Sequence, residues 1–134
     1  MKPLATLLLA AALSLAARNA AAGPAIDGKR DLVCEPKHLA QCDEEAACAS
    51  VAPEDVDLPP ALRLSFKSRK LTAVQGERSS PIQSVQIEPA VVVVQGSQNG
   101  RGWSMVIDRA TGSLSGTIAD AEGAFVVAGT CSAP

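Results

Sequence analysis

The chain has 134 residues, 47% of them hydrophobic, with one tryptophan, two phenylalanines, no tyrosine and a formal net charge of −2. That length allows one small domain with a thin, mostly aliphatic core. Loss of an N-terminal leader carrying Lys2 and Arg18 leaves ten basic and fourteen acidic side chains, a net charge of −4, which argues against nucleic acid as a partner.

The leader is read from residues 1–22. Met1-Lys2 supplies a positive start, Leu4 to Ala17 an apolar run, and Ala20-Ala21-Ala22 the small residues that a signal peptidase needs. Cleavage is expected after Ala22. The apolar run falls short of the ~20 residues that cross a bilayer, so no transmembrane segment is expected afterwards. Cys34 lies well past the cleavage site, which argues against a lipid anchor. The expected location is the periplasm or the medium. Residues 23–30 read as a flexible tail and 31–134 as a single disulfide-bonded β domain.

Cys34, Cys42, Cys48 and Cys131 form an even set, which in an oxidising compartment predicts two disulfides. The rival is a metal set of Cys34, His38, Cys42 and Cys48, but its spacing lacks the paired C-x2-C of common zinc sites. The preferred pairing is Cys34–Cys131 with Cys42–Cys48; Cys34–Cys42 with Cys48–Cys131 is the alternative. A bridge spanning nearly the whole chain is worth ~4 to 5 kcal/mol in the chain-entropy model.

Asp31 to Cys34 reads as a strand. Residues 35–49 fit either helix or strand, with a strand followed by a cysteine-closed loop preferred. Residues 50–60, with Pro53, Pro59 and Pro60, read as a connector, since proline removes amide donors. Leu62, Leu64 and Phe66 alternate with Arg63, Ser65 and Lys67, which predicts a half-buried strand with a basic outer face. A turn follows at Ser68 to Lys70, then a short strand to Gln75 and a loop over Gly76 to Pro81. Val85 and Ile87 oppose Ser84 and Gln86 in the next strand. The four valines of Ala90 to Gln95 predict a strand covered on both faces. Gly96 to Gly102 reads as a glycine-rich turn. Trp103, Met105 and Ile107 share the next face. Leu114, Gly116 and Ile118 alternate after the Asp108 to Gly112 connection, whose glycine supplies positive φ. Phe125, Val127 and Cys131 close the chain in one phase. About seven to eight short strands at this spacing predict an all-β antiparallel meander, closing as a small barrel or sandwich.

Chemistry is sparse. The single histidine, His38, has no nucleophile elbow to serve, and Gly112-Ser113-Leu114-Ser115-Gly116 alternates as a strand. The acids Glu44, Glu45, Glu54 and Asp55 lie in a charged run of the kind that water solvates. No phosphate loop or dinucleotide fingerprint is present. No cofactor or metal is expected, and the chain reads as a non-enzyme. Residues 31–57 are acidic and 63–78 basic, which predicts either two surfaces attracting each other across the fold or an acidic face for a cationic protein. The candidate recognition surface is the loop with Gln98, Asn99, Arg101 and Trp103; the competing reading of Trp103 is a core position in phase with Met105.

Leu58-Pro59, Gln95-Gly96, Asn99-Gly100-Arg101, Trp103-Ser104, Thr111-Gly112, Phe125-Val126-Val127, Gly129 and Cys131 resemble an uncharacterised family of small exported proteobacterial proteins. The resemblance spans about residues 31 to 131 and implies an envelope location. More distantly, the early cysteine, glycine-rich strands and final Gly-x-Cys are similar to periplasmic and membrane-bound inhibitors of c-type lysozyme. That likeness implies a disulfide-tied barrel and an inhibitory Ser-Gly pair, matched by Ser115-Gly116; the tyrosine that follows it in those inhibitors has no counterpart here. The expected role is therefore an exported binding protein with an envelope or extracellular protein partner, such as a cationic enzyme. The alternative is a small-ligand carrier, which demands an unfilled apolar interior.

Overall fold

A computed structural model describes residues 26–134, so the expected leader and its cleavage site lie outside the described residues. The described residues form nine strands: β1 (Leu32–Cys42), β2 (Cys48–Val51), β3 (Leu62–Ser65), β4 (Lys70–Ala73), β5 (Ser79–Ile87), β6 (Val91–Gln98), β7 (Arg101–Asp108), β8 (Ser113–Asp120) and β9 (Gly123–Ser132). Every pairing is antiparallel. Strands β3 to β9 follow one another as a meander, and β1 closes it by pairing with β3 on one edge and β9 on the other. The result is an eight-stranded barrel. Strand β2 folds back on the far half of β1 as a ninth strand outside the ring.

The length of β1 resolves the helix-or-strand ambiguity of residues 35–49. A bulge between Pro36 and His38 shifts its phase, so that Leu32, Cys34 and Pro36 point inward before it and Leu39 after it. A bulge adds one residue and re-aims those that follow, and here it leaves His38 exposed. The expected connector over 50–60 contains the end of β2 and a 3-10 turn, Pro53–Val56. Proline suits the first turn of a helix, where its missing N–H has no partner to lose. Gly96 to Gly102 is mostly strand: the reversal is the pair Asn99–Gly100, both at positive φ (53° and 78°). That is the tightest hairpin connection and matches the twist of its strands. Of the four valines in β6, Val92 and Val94 are fully buried, whereas Val91 and Val93 lie half-buried on the outer wall, so only one face is covered.

Both disulfides join residues directly opposite each other in the ladder, Cys34 with Cys131 between β1 and β9, and Cys42 with Cys48 between β1 and β2. All three sulfurs of the rival metal set are thus held in disulfides, Cys34 with Cys131 and Cys42 with Cys48.

One end of the barrel is closed. Leu32, Leu64, Phe66, Ile82, Val92, Val94, Ile107 and Leu114 pack with the Cys34–Cys131 bridge into one cluster, and Ile26 joins them. Residues 26–30, expected within a flexible tail, are held across this end. The Ile26 amide donates to the Arg109 carbonyl (2.9 Å), and Arg109 Nε donates to the Ile26 carbonyl (2.7 Å). Arg109 Nη1 also donates to the Glu88 carbonyl (2.8 Å), so one side chain ties this segment to the β5–β6 connection. A lone isoleucine among Ala and Gly carries no periodicity, so this anchoring leaves no trace in the sequence pattern.

Candidate functional site

Alternation sets which side chains face the barrel interior, and their sizes set how full it is. At the closed end they are Leu, Ile and Val. Toward the other end the inward positions include Ala73, Ser80 and Gly116, which leave space. Larger inward side chains there, Leu62, Leu71, Trp103 and Ile118, remain half-exposed although they point into the ring. The space they border is a cavity of about 780 Å³. That lies within the range of small-molecule sites, roughly 300–1,000 Å³.

Leu58 and Pro59 of the connector form one wall of its mouth, and Met105 and Val127 lie deeper. Arg78 holds the connector in place: Nη1 donates to Asp57 Oδ2 (3.0 Å) and Nη2 to the Asp57 carbonyl (2.8 Å). Asp57 itself ends the 3-10 turn in the left-handed region (φ 54°).

Trp103 supplies the aromatic wall. Its Nε1 donates to Ser80 Oγ at 2.8 Å. The indole packs against Gly96, where any β-carbon would collide with the ring and with the Pro81 carbonyl. Glycine here makes room for the aromatic, and the hydrogen bond satisfies the polar edge that a half-buried indole presents. Trp103 is in phase with Met105 and Ile107 and packs against the core, and it also borders the cavity.

Gln98, Asn99 and Arg101, the other residues of the expected recognition surface, also border the cavity, at the tip of the β6–β7 hairpin. Arg101 Nε pairs with Asp120 Oδ2 at 3.3 Å. The Asp120 carboxyl is held below its ordinary pKa, first by the Glu122 amide (2.9 Å) and then by Arg101. Sequence reasoning missed Leu58, Leu62, Ala73, Arg78, Ser80 and Ile118. The available signal was the run of small inward residues, Ala73, Ser80 and Gly116, in strands whose other inward positions are large.

The two charged surfaces expected from the sequence do attract across the fold, through Arg78 with Asp57 (3.0 Å) and Arg63 with Asp31 (3.9 Å). These pairs reduce the free charge of the acidic run. Asp43 is turned to local work, accepting from the amides of Glu45 (2.9 Å) and Ala47 (3.0 Å). Of the Ser115-Gly116 pair, Gly116 borders the cavity, while Ser115 lies exposed on the outer wall. Against known protein families, curated proteins and solved structures, the chain matches none.

Proposed function

We propose that this chain is an exported binding protein that holds a small, mainly apolar molecule in the open half of its barrel. The observation that carries this reading is the ring of inward-facing yet half-exposed apolar side chains around the 780 Å³ cavity. A barrel that served only as a scaffold gains stability by filling such space, since each buried methylene is worth about 0.8 kcal/mol. Export is supported by the leader pattern together with two disulfides, which persist in oxidising compartments. The connector and the Asn99–Gly100 hairpin shape the mouth, while the packed end and the Cys34–Cys131 bridge hold the ring rigid.

Trp103 makes the test direct. It is the only tryptophan in a chain without tyrosine, and it borders the cavity. Titration with the neutral apolar dye N-phenyl-1-naphthylamine is expected to be saturable at one site, with energy transfer from Trp103 to the dye. The Ala73→Phe variant places a ring in the cavity and is expected to weaken the dye by at least about tenfold, or 1.4 kcal/mol. Absence of saturable binding, or a folded Ala73→Phe protein that binds the dye as tightly as the native chain, would refute the reading.

A further inference from the structure

The inward face of β7 is graded. From the closed end outward it presents Ile107, Met105, Trp103 and then Arg101, each two residues from the last. At ~3.4 Å per residue the guanidinium-bearing position stands roughly 14 Å along the strand from Met105. A hydrocarbon surface with a cation at its outer limit matches a molecule that is apolar along its length and charged at one end.

The two arginines at the mouth differ in what they have left to give. Arg78 spends both terminal nitrogens on Asp57. Arg101 engages only Nε, and among the described residues its terminal nitrogens donate to no protein group. Its side chain is 64% exposed. Asp120 keeps the Glu122 amide as a donor if Arg101 turns away, so releasing Arg101 does not orphan a carboxylate. Glu77 borders the same mouth, which disfavours a second negative charge on the ligand.

Resting on the proposed carrier reading, we infer that Arg101 makes this cavity selective for long-chain carboxylates, with the hydrocarbon in the barrel and the carboxylate on the free Arg101 nitrogens. A guanidinium offers a carboxylate two parallel hydrogen bonds, which an alcohol or an ammonium head cannot match.

The experiment displaces N-phenyl-1-naphthylamine from the full exported chain with dodecanoate, dodecanol and dodecyltrimethylammonium, each below its micellar concentration, at about pH 8, where the carboxylate is ionised. Dodecanoate is expected to displace the dye at a concentration at least about tenfold lower than dodecanol, with the cation weakest. Arg101→Gln is expected to bring the carboxylate-to-alcohol ratio to about one, and Arg101→Lys to restore part of it. If dodecanol matches dodecanoate on the native chain, or folded Arg101→Gln keeps the preference, the inference is overturned while dye binding still upholds the carrier reading. If the dye itself does not bind, both fall.

Discussion

Single side chains here act mainly by completing turns. Asp27 Oδ1 accepts from the amides of Lys29 (2.8 Å) and Arg30 (3.0 Å), and Oδ2 from Arg30 Nε (3.1 Å). These bonds, the Arg30 amide foremost, lower its pKa from 3.8 to about 2. Because the folded value lies below the unfolded one, the contribution is complete above the unfolded value and is lost as pH falls toward 2. Asp108 and Asp120 are lowered in the same sense, through the Thr111 and Glu122 amides respectively. The chain is therefore expected to lose stability in acid by several small steps. In urea titrations between about pH 5 and pH 2, the gap between the native chain and Asp27→Asn should narrow as pH falls. A gap that stays constant across that range would show that the Asp27 charge plays no part.

At the scale of elements, the alternation of β3, β7, β8 and β9 and of the second half of β5 was legible because each buries one face, and a period of two then leaves a clear trace; the valine run of β6 hid the same one-sided burial. Other stretches were harder to read, for physical reasons. The rim of a barrel is polar, so Gly96, Ser97 and Gln98 looked like loop although they are strand. The bulge in β1 broke its period midway, which left helix open beside the preferred strand over 35–49, and the strand with its cysteine-closed loop is what forms. The segment across the closed end has one apolar anchor, and one residue makes no pattern. That anchor nonetheless matters: Ile26 is 9% exposed and sits in the main cluster. Ile26→Ala is expected to cost about 2 kcal/mol or more. Arg109→Ala, which frees the same segment from the β5–β6 connection, should cost about 1–3 kcal/mol. Urea unfolding with unchanged m-values measures both; wild-type midpoints in these variants would return residues 26–30 to the status of a loose tail.

At the scale of the whole molecule, the cavity and the closure depend on each other. Periodicity reveals which side chains face inward and that Ala73, Ser80 and Gly116 are small ones, yet it does not reveal whether those from eight different strands meet, so the cavity itself was not readable from sequence. What holds that half open is the ring, and the ring closes where β1 meets β9. The Cys34–Cys131 bridge spans 97 residues at this seam, whereas Cys42–Cys48 spans 6 and ties only the outer strand β2. In the chain-entropy model the first is worth ~4 to 5 kcal/mol and the second about 2. Against a total of roughly 5–15 kcal/mol for an ordinary domain, loss of the seam bridge is serious and loss of the other is tolerable. The double variant Cys34→Ala/Cys131→Ala is thus expected to have a far lower urea midpoint than Cys42→Ala/Cys48→Ala. The gap should widen beyond the entropic difference, because Cys34 and Cys131 are also core side chains, 0% and 4% exposed. Equal midpoints for the two variants would mean that the β1–β9 hydrogen bonds close the ring unaided.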